Sequence, residues 1–207
     1  MSFNNKKLAY FGGKPLIKKR FKPYVVIGSK EIKATRRVIK SGVLTGFAGR
    51  WSKDFFGGPE VLKFEKYLRN FYKVKHAIVV NSWSSGLTAA VGALKINPGD
   101  EIIVSDPVYS PTRVLTEKFL KEFNIKTTFY NPHDLKTLEK KISKKSKLIF
   151  VENPGSNSFE FQDLGKIISI AKKNKILTAI DNTWATPYYF KPIKFGFDMS
   201  IVSATKY

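Results

Sequence analysis

The fold is decided by KLIFVENPGSNSFEFQDLGKIISIAKKNKILTAID, residues 147–181. Lys147–Glu152 is an apolar run of strand length, Leu164–Lys173 spaces its apolar residues as one helix face does, and Ile176–Ile180 is a second apolar run. Short apolar runs without alternation mark strands covered on both faces, and a helix between two of them makes a crossover joining parallel neighbours. The same rhythm extends outward. Glu101–Ser105 reads as a strand, Pro111–Phe123 as a helix, Lys126–Tyr130 as extended, Asp134–Ile142 as a helix with Asp134 at its N-cap, and Asp198–Ser203 as the last strand. His76–Val80 reads as a further strand and Ser84–Leu94 as a small-residue helix. The prediction is an α/β fold, a large domain over residues 76–207 whose mostly parallel sheet carries helices on both faces. Ligands in such sheets bind at the carboxyl ends of the strands, where Tyr109, Glu152, Asp181 and Lys206 fall.

Residues 1–75 read differently, as an N-terminal arm with helices. Ser29 is expected to cap a helix over Lys30–Ile39 that Gly42 closes, and a glycine- and aromatic-rich loop, Gly42–Gly58, leads to a second helix, Pro59–Tyr72. Bulk properties narrow the function. There is no cysteine and histidine occurs only at 76 and 133, so neither a disulfide framework nor a thiolate or zinc centre is expected. No apolar run approaches a membrane span and the start lacks a signal-peptide core, so the expectation is a cytoplasmic protein. The net charge of +21 invites a nucleic-acid partner. Against it, 31 of the 37 basic residues are lysines, and they are scattered along the chain. Base readout favours arginine, so the charge argues for a solvated surface instead.

Four stretches carry chemistry. Asn81-Ser82-Trp83-Ser84-Ser85-Gly86-Leu87 follows one predicted strand and opens a helix, where unpaired backbone N–H groups and serine hydroxyls suit a phosphate. An ordinary serine cap is the commoner meaning of that pattern taken alone. Tyr109 stands between Pro107 and Pro111 just past a strand end, where its ring can stack on a flat heterocycle or simply pack. Asp181 ends an apolar run and needs a partner, which a pyridinium N–H or a structural ion pair would supply. Lys206 follows Ser203 and Thr205 beyond the last strand, where a Schiff-base lysine beside a phosphate, or a plain surface lysine, would stand. Their joint occurrence in this order favours a site that binds pyridoxal 5'-phosphate (PLP).

SDPVYSPTR (105–113), VENPGS (151–156), IDNTWATPYYFKP (180–192) and DMSIVSATKY (198–207) resemble the Cys/Met-metabolism family of PLP-dependent enzymes, most closely its cystathionine β-lyase branch. The resemblance implies the type I PLP fold of the aspartate aminotransferases. It also implies roles. Lys206 would carry the cofactor and shuttle the α-proton, and Asp181 would face the pyridine nitrogen. Tyr109 would stack on the ring, and Ser156 would lie near the phenolic oxygen, where γ-carbon relatives usually carry asparagine. Trp83, Ser84, Ser85, Ser203 and Thr205 would meet the phosphate. By contrast, LAYFGGKPLIKK (8–19), VIGSKEIKATRRVIKSGVLTGFAG (26–49), FGGPEVLKFEKYL (56–68) and residues 74–104 resemble the DegT/DnrJ/EryC1/StrS sugar aminotransferases.

The expectation is therefore a chimera of two related enzymes with its change-over near Pro98–Asp106, truncated after the lysine. A C-terminal small domain and its substrate-clamping arginine would be missing. The implied reaction is carbon–sulfur lysis of a small amino-acid substrate, cystathionine to homocysteine, pyruvate and ammonia, impaired by the truncation. A nucleotide-sugar aminotransferase and a non-catalytic fragment are the alternatives. The resemblance implies homodimers or homotetramers in the full-length family.

Overall fold

A computed structural model describes residues 8–44, 46–47, 49, 51 and 55–206. The chain forms two compact units, Met1–Gly58 and Pro59–Tyr207. In the first, helix α1 spans Ser29–Ser41. Ser29 is its first residue rather than its cap. Gly28 takes the cap position because the Glu31 carboxylate reaches back to accept the Gly28 N–H at 2.7 Å, so no serine hydroxyl is needed there. Gly42 closes α1 as expected, with φ +69° and its N–H on Ile39 O.

The second unit opens with α2, Pro59–Tyr72, the bounds the sequence predicts. The strand expected at His76–Val80 does not form. No described residue pairs with it in a ladder, and the Val79 N–H goes instead to the Glu65 carboxylate on α2, at 3.0 Å. A strand needs a partner for its backbone groups, and apolar residues alone do not make one. Helix α3, Trp83–Ala93, follows.

From there the predicted elements alternate, with ends shifted by a residue or two: β1 Glu101–Ser105, α4 from Ser110 to Glu122, β2 Lys126–Tyr130, α5 Leu135–Lys141, β3 Ser146–Glu152, α6 Leu164–Lys173, β4 Leu177–Asp181 and β5 Met199–Ile201, with two short helices before β5 that the sequence reading does not predict, α7 Thr186–Tyr189 and α8 Pro192–Phe195. Asp134 caps α5, accepting the Lys136 N–H. Helix α4 is not uniform, because Leu115–Phe119 is a π-turn. There the Leu120 N–H reaches back to Leu115 O, and the displaced Thr116 carbonyl is satisfied by the Thr127 hydroxyl of β2 at 2.8 Å.

The five strands are all parallel, in the order β2-β1-β3-β4-β5. Successive side chains enter opposite layers. Ile102, Val104, Leu148, Phe150 and Ala179 pack with Leu87, Ala90 and Val91 of α3 and Leu120 of α4. Ile103, Ile149, Val151 and Ile180 pack with Leu138 of α5 and Ile167 of α6 on the other side. The sheet is thus the middle layer of an α/β/α sandwich. Each fully buried aliphatic of this core contributes about 2 kcal/mol. All strands present their carboxyl ends to one edge, and the candidate site lies there.

Candidate functional site

Glu152 and Asp181 are register partners at the carboxyl ends of β3 and β4, so their side chains emerge side by side. Both are buried, at 3% and 5% exposure. Glu152 Oε2 accepts the Tyr109 N–H at 2.6 Å, and Oε1 accepts the Ser156 hydroxyl. Burial pushes the Glu152 carboxyl up to about 7, with the Asp181 charge adding to the rise and the Ser156 and Tyr109 hydrogen bonds opposing it. Burial likewise raises Asp181, against hydrogen bonds from Thr183 and the pull of the Trp83 indole. That indole Nε1 is itself buried without a hydrogen bond of acceptable geometry, so it acts on Asp181 as a nearby dipole. Among the described residues no lysine or arginine forms an ion pair with either carboxylate.

Two aromatics border the acids. Trp83, the first residue of α3, meets the Tyr109 ring edge to face at 6.4 Å and the Phe150 ring at 6.3 Å. Tyr109 is the N-cap of α4, and 43% of it is exposed. The loop before it is fixed from below, since Arg113 holds the Asp106 carbonyl and carboxylate at 2.7 Å while lying 4.0 Å over the Phe129 ring. Ser156 approaches the same loop, its N–H on Pro107 O at 2.7 Å.

The start of α3 faces the end of β5. A Cβ on Gly86 would stand 3.4 Å from Val80 and 3.6 Å from Ile201, so the helix turn packs closely on the strand. Ser82 caps the helix, its Oγ accepting the Ser85 N–H at 3.1 Å, and Ser84 is exposed. The first amides of a helix have no carbonyl partner within it, so those of Trp83 and Ser84 point outward as donors. Beyond β5, Ser203 and Thr205 share a hydrogen bond of 3.1 Å, and Lys206 ends an exposed 3₁₀ turn, Ala204–Lys206.

Two residues that sequence reasoning left without a role join these parts. Thr183 donates its N–H to Asp181 Oδ1 and accepts the Ser203 N–H on Oγ1, both at 2.9 Å, so it ties the acid to the lysine loop. Its signal was the Asp181-Asn182-Thr183 turn, where an aspartate side chain accepts from the backbone two residues on. Glu152 is the other. Nothing in its local pattern separates a buried glutamate at a strand end from a cap or a surface acid.

The donor set fits PLP. A buried pair of carboxylates without a cation calls for a protonated ring nitrogen, and outward amides and hydroxyls at a helix start call for a phosphate.

The model of the Cys/Met metabolism PLP-dependent enzyme family matches residues 53–207. A Saccharomyces cerevisiae protein assigned as a cystathionine β-lyase is 43% identical over 73% of this chain and 44% of its own length. Cystathionine β-lyase of Staphylococcus haemolyticus is 34% identical over 73% of this chain and 38% of its own. Among solved structures, cystathionine γ-lyase of Lactobacillus plantarum, complexed with L-serine, superposes with a TM-score of 0.69 at 29% identity, covering 72% of this chain and 39% of that one. The chain thus spans less than half the length of these relatives. The family match also runs through residues 53–104, part of the stretch expected to resemble sugar aminotransferases, and across the change-over expected near Pro98–Asp106. A buried acid pair at the strand ends, an outward-facing helix start, a lysine beyond the last strand and a family match over most of the sequence agree, and the chain belongs to the PLP-dependent enzymes of Cys/Met metabolism.

Proposed function

We propose that this chain supplies the cofactor-binding core of a PLP-dependent carbon–sulfur lyase that splits cystathionine into homocysteine, pyruvate and ammonia. The observation that carries the reading is the buried Asp181, raised by its burial and unpaired with any cation among the described residues. PLP supplies an electron sink for charge developing at the substrate α-carbon when bound. Asp181 would hold a proton on the ring nitrogen, and Thr183 and the Trp83 indole keep that carboxylate in place. Tyr109 would cover one face of the ring. The amides of Trp83 and Ser84 and the hydroxyls of Ser84, Ser85, Ser203 and Thr205 would take the phosphate dianion. Ser156 would lie by the phenolic oxygen. The Lys206 amine would hold the cofactor and would then move the substrate α-proton, with the homocysteine sulfur as the leaving group on the β-carbon. Water completes the balance, releasing pyruvate and ammonia.

The choice of β-lysis rests on Gly155-Ser156 and on relatives named cystathionine β-lyase. Relatives named cystathionine γ-lyase and O-succinylhomoserine sulfhydrylase, at 35% and 33% identity, support the reaction class and not the regiochemistry. The motifs of residues 8–19 and 26–49 favour a second reading, a nucleotide-sugar aminotransferase.

The test is direct. The chain is incubated with PLP, reduced with borohydride and digested, and mass spectrometry locates the phosphopyridoxyl group. Label on Lys206 that is lost in Lys206→Ala supports the cofactor role, and unlabelled Lys206 refutes it. Pyruvate from cystathionine supports β-lysis, 2-oxobutyrate supports γ-lysis, and amino-sugar formation supports the second reading.

A further inference from the structure

We infer that Glu152 is a positioning residue of this cofactor site, a clasp that holds the Tyr109 and Ser156 loops together while it carries a proton and lets them part when it is ionised. The inference rests on the cofactor reading for its meaning but on the apo geometry for its evidence. Every polar atom of Glu152 is engaged. Oε2 takes the Tyr109 N–H at 2.6 Å, Oε1 the Ser156 hydroxyl, its own N–H goes to Ser105 Oγ at 3.2 Å, and its carbonyl accepts Gln162 Nε2 at 2.9 Å. One side chain therefore joins the loop after β1 to the loop after β3, and those loops carry the ring-facing Tyr109 and the Ser156 hydroxyl. The Ser156 N–H to Pro107 O bond closes the same junction from the backbone.

Ionised, Glu152 accepts both clasp bonds, and those bonds favour the charge; burial beside Asp181 favours the proton, and the clasp survives protonation. A protonated carboxyl can accept the Tyr109 N–H on one oxygen and donate from the other to Ser156 Oγ, because a hydroxyl does either. Ionisation puts a second negative charge beside Asp181, its register partner, with no cation among the described residues to offset it. Other titratable groups on the joined loops are Tyr109, the Asp106–Arg113 ion pair and Glu160. Glu160, in the loop after β3, has its Oε2 buried without a hydrogen bond and near Gly155. Loop opening lets water reach the Glu152 carboxylate, so linkage favours the open form as pH rises. A ring nitrogen cation beside Asp181 offsets the pair and restores the closed form.

The test is hydrogen–deuterium exchange of the full apo chain between pH 5.5 and 8.5, corrected for the intrinsic pH dependence of exchange. The segments 106–112 and 153–160 are read against the core strand β3. In the wild type, protection of both segments falls together by at least tenfold as pH rises through neutrality, while β3 stays protected. Glu152→Gln keeps both hydrogen bonds and cannot ionise, so both segments stay protected at every pH. Glu152→Leu removes both bonds and leaves both segments weakly protected throughout. A wild type without the pH step, or a Gln variant that retains it, overturns the inference even where the Leu variant does not fold. Adding PLP should flatten the wild-type step. Failure of the chain to take up PLP would count against the cofactor reading alone, because the exchange step needs no cofactor.

Discussion

The paired carboxylates make the stability of the chain fall with pH in a defined window. Glu152 has an ordinary carboxyl value of 4.5 when unfolded and about 7 when folded. A raised folded value means that the native state binds the proton more tightly. Its stabilising contribution is complete below 4.5 and is lost as pH rises through about 7. The shift corresponds to about 3 kcal/mol at most, and Asp181, raised in the same direction, steepens the loss. The assay is urea unfolding of the apo chain followed by circular dichroism at pH 5, 6, 7 and 8.

A second trend opposes this one. The charge of +21 grows as pH falls, and self-repulsion then destabilises the compact state. The quantity to compare is therefore the difference between wild type and Glu152→Gln, in which that repulsion cancels. Wild type should lose about 2–3 kcal/mol more than the Gln variant between pH 5 and pH 8. Equal slopes in the two proteins would refute the reasoning, because they would mean that Glu152 is charged at pH 5 in the folded state.

Three further outcomes follow from named contacts. Asp181→Asn removes a buried charge while keeping the side chain's shape, so apo stability at pH 8 should stay within about 1 kcal/mol of wild type, while PLP affinity, measured by fluorescence titration, should fall at least tenfold. Leu138→Ala empties a fully buried site between α5 and the sheet and should cost about 2–5 kcal/mol in urea unfolding. Gly155→Ala would set a Cβ 2.8 Å from Pro107 Cγ and 2.9 Å from its Cβ, and that rigid ring cannot swing away. The variant should lose about 1–3 kcal/mol, and the Ser156 segment should exchange faster.

Much of the layer architecture was legible because the apolar period is local information. KLIFVE carries the unbroken apolar run LIFV and ILTAI is interrupted only by Thr178, and β3 and β4 pair in parallel where those runs lie. The strand expected at 76–80 failed for the opposite reason. HAIVV has strand composition, but a ladder is a property of two segments, and its Val79 N–H found Glu65 instead. The π-turn in α4 was equally hidden, since it depends on the Thr127 hydroxyl of a different element. In the site, Asp181, Tyr109 and Ser156 stood out through their motifs. Glu152 and Thr183 matter through what they join, and joining is visible only once loops from different strands stand side by side.

The two ends of the sheet explain why the acid pair points to a ligand. Glu101 begins β1 and Glu152 ends β3, and each is 3% exposed. Burial raises both, but at Glu101 the hydrogen bonds win. Thr128, Ser143 and Ser146 hydroxyls and the Lys126 ammonium, at 3.0 Å, surround that carboxylate and hold it below its ordinary value. The same chain, rich in lysine, leaves Glu152 and Asp181 with no such ammonium. A fold that can complete the shell of a buried glutamate at one edge has left two acids short of a cation at the other. That shortfall costs stability in the empty protein, and on the proposed cofactor reading a cationic ring nitrogen would recover it. Placing a lysine near the pair should therefore stabilise the apo chain and weaken PLP uptake together, and a variant that gained stability without losing cofactor affinity would break the link.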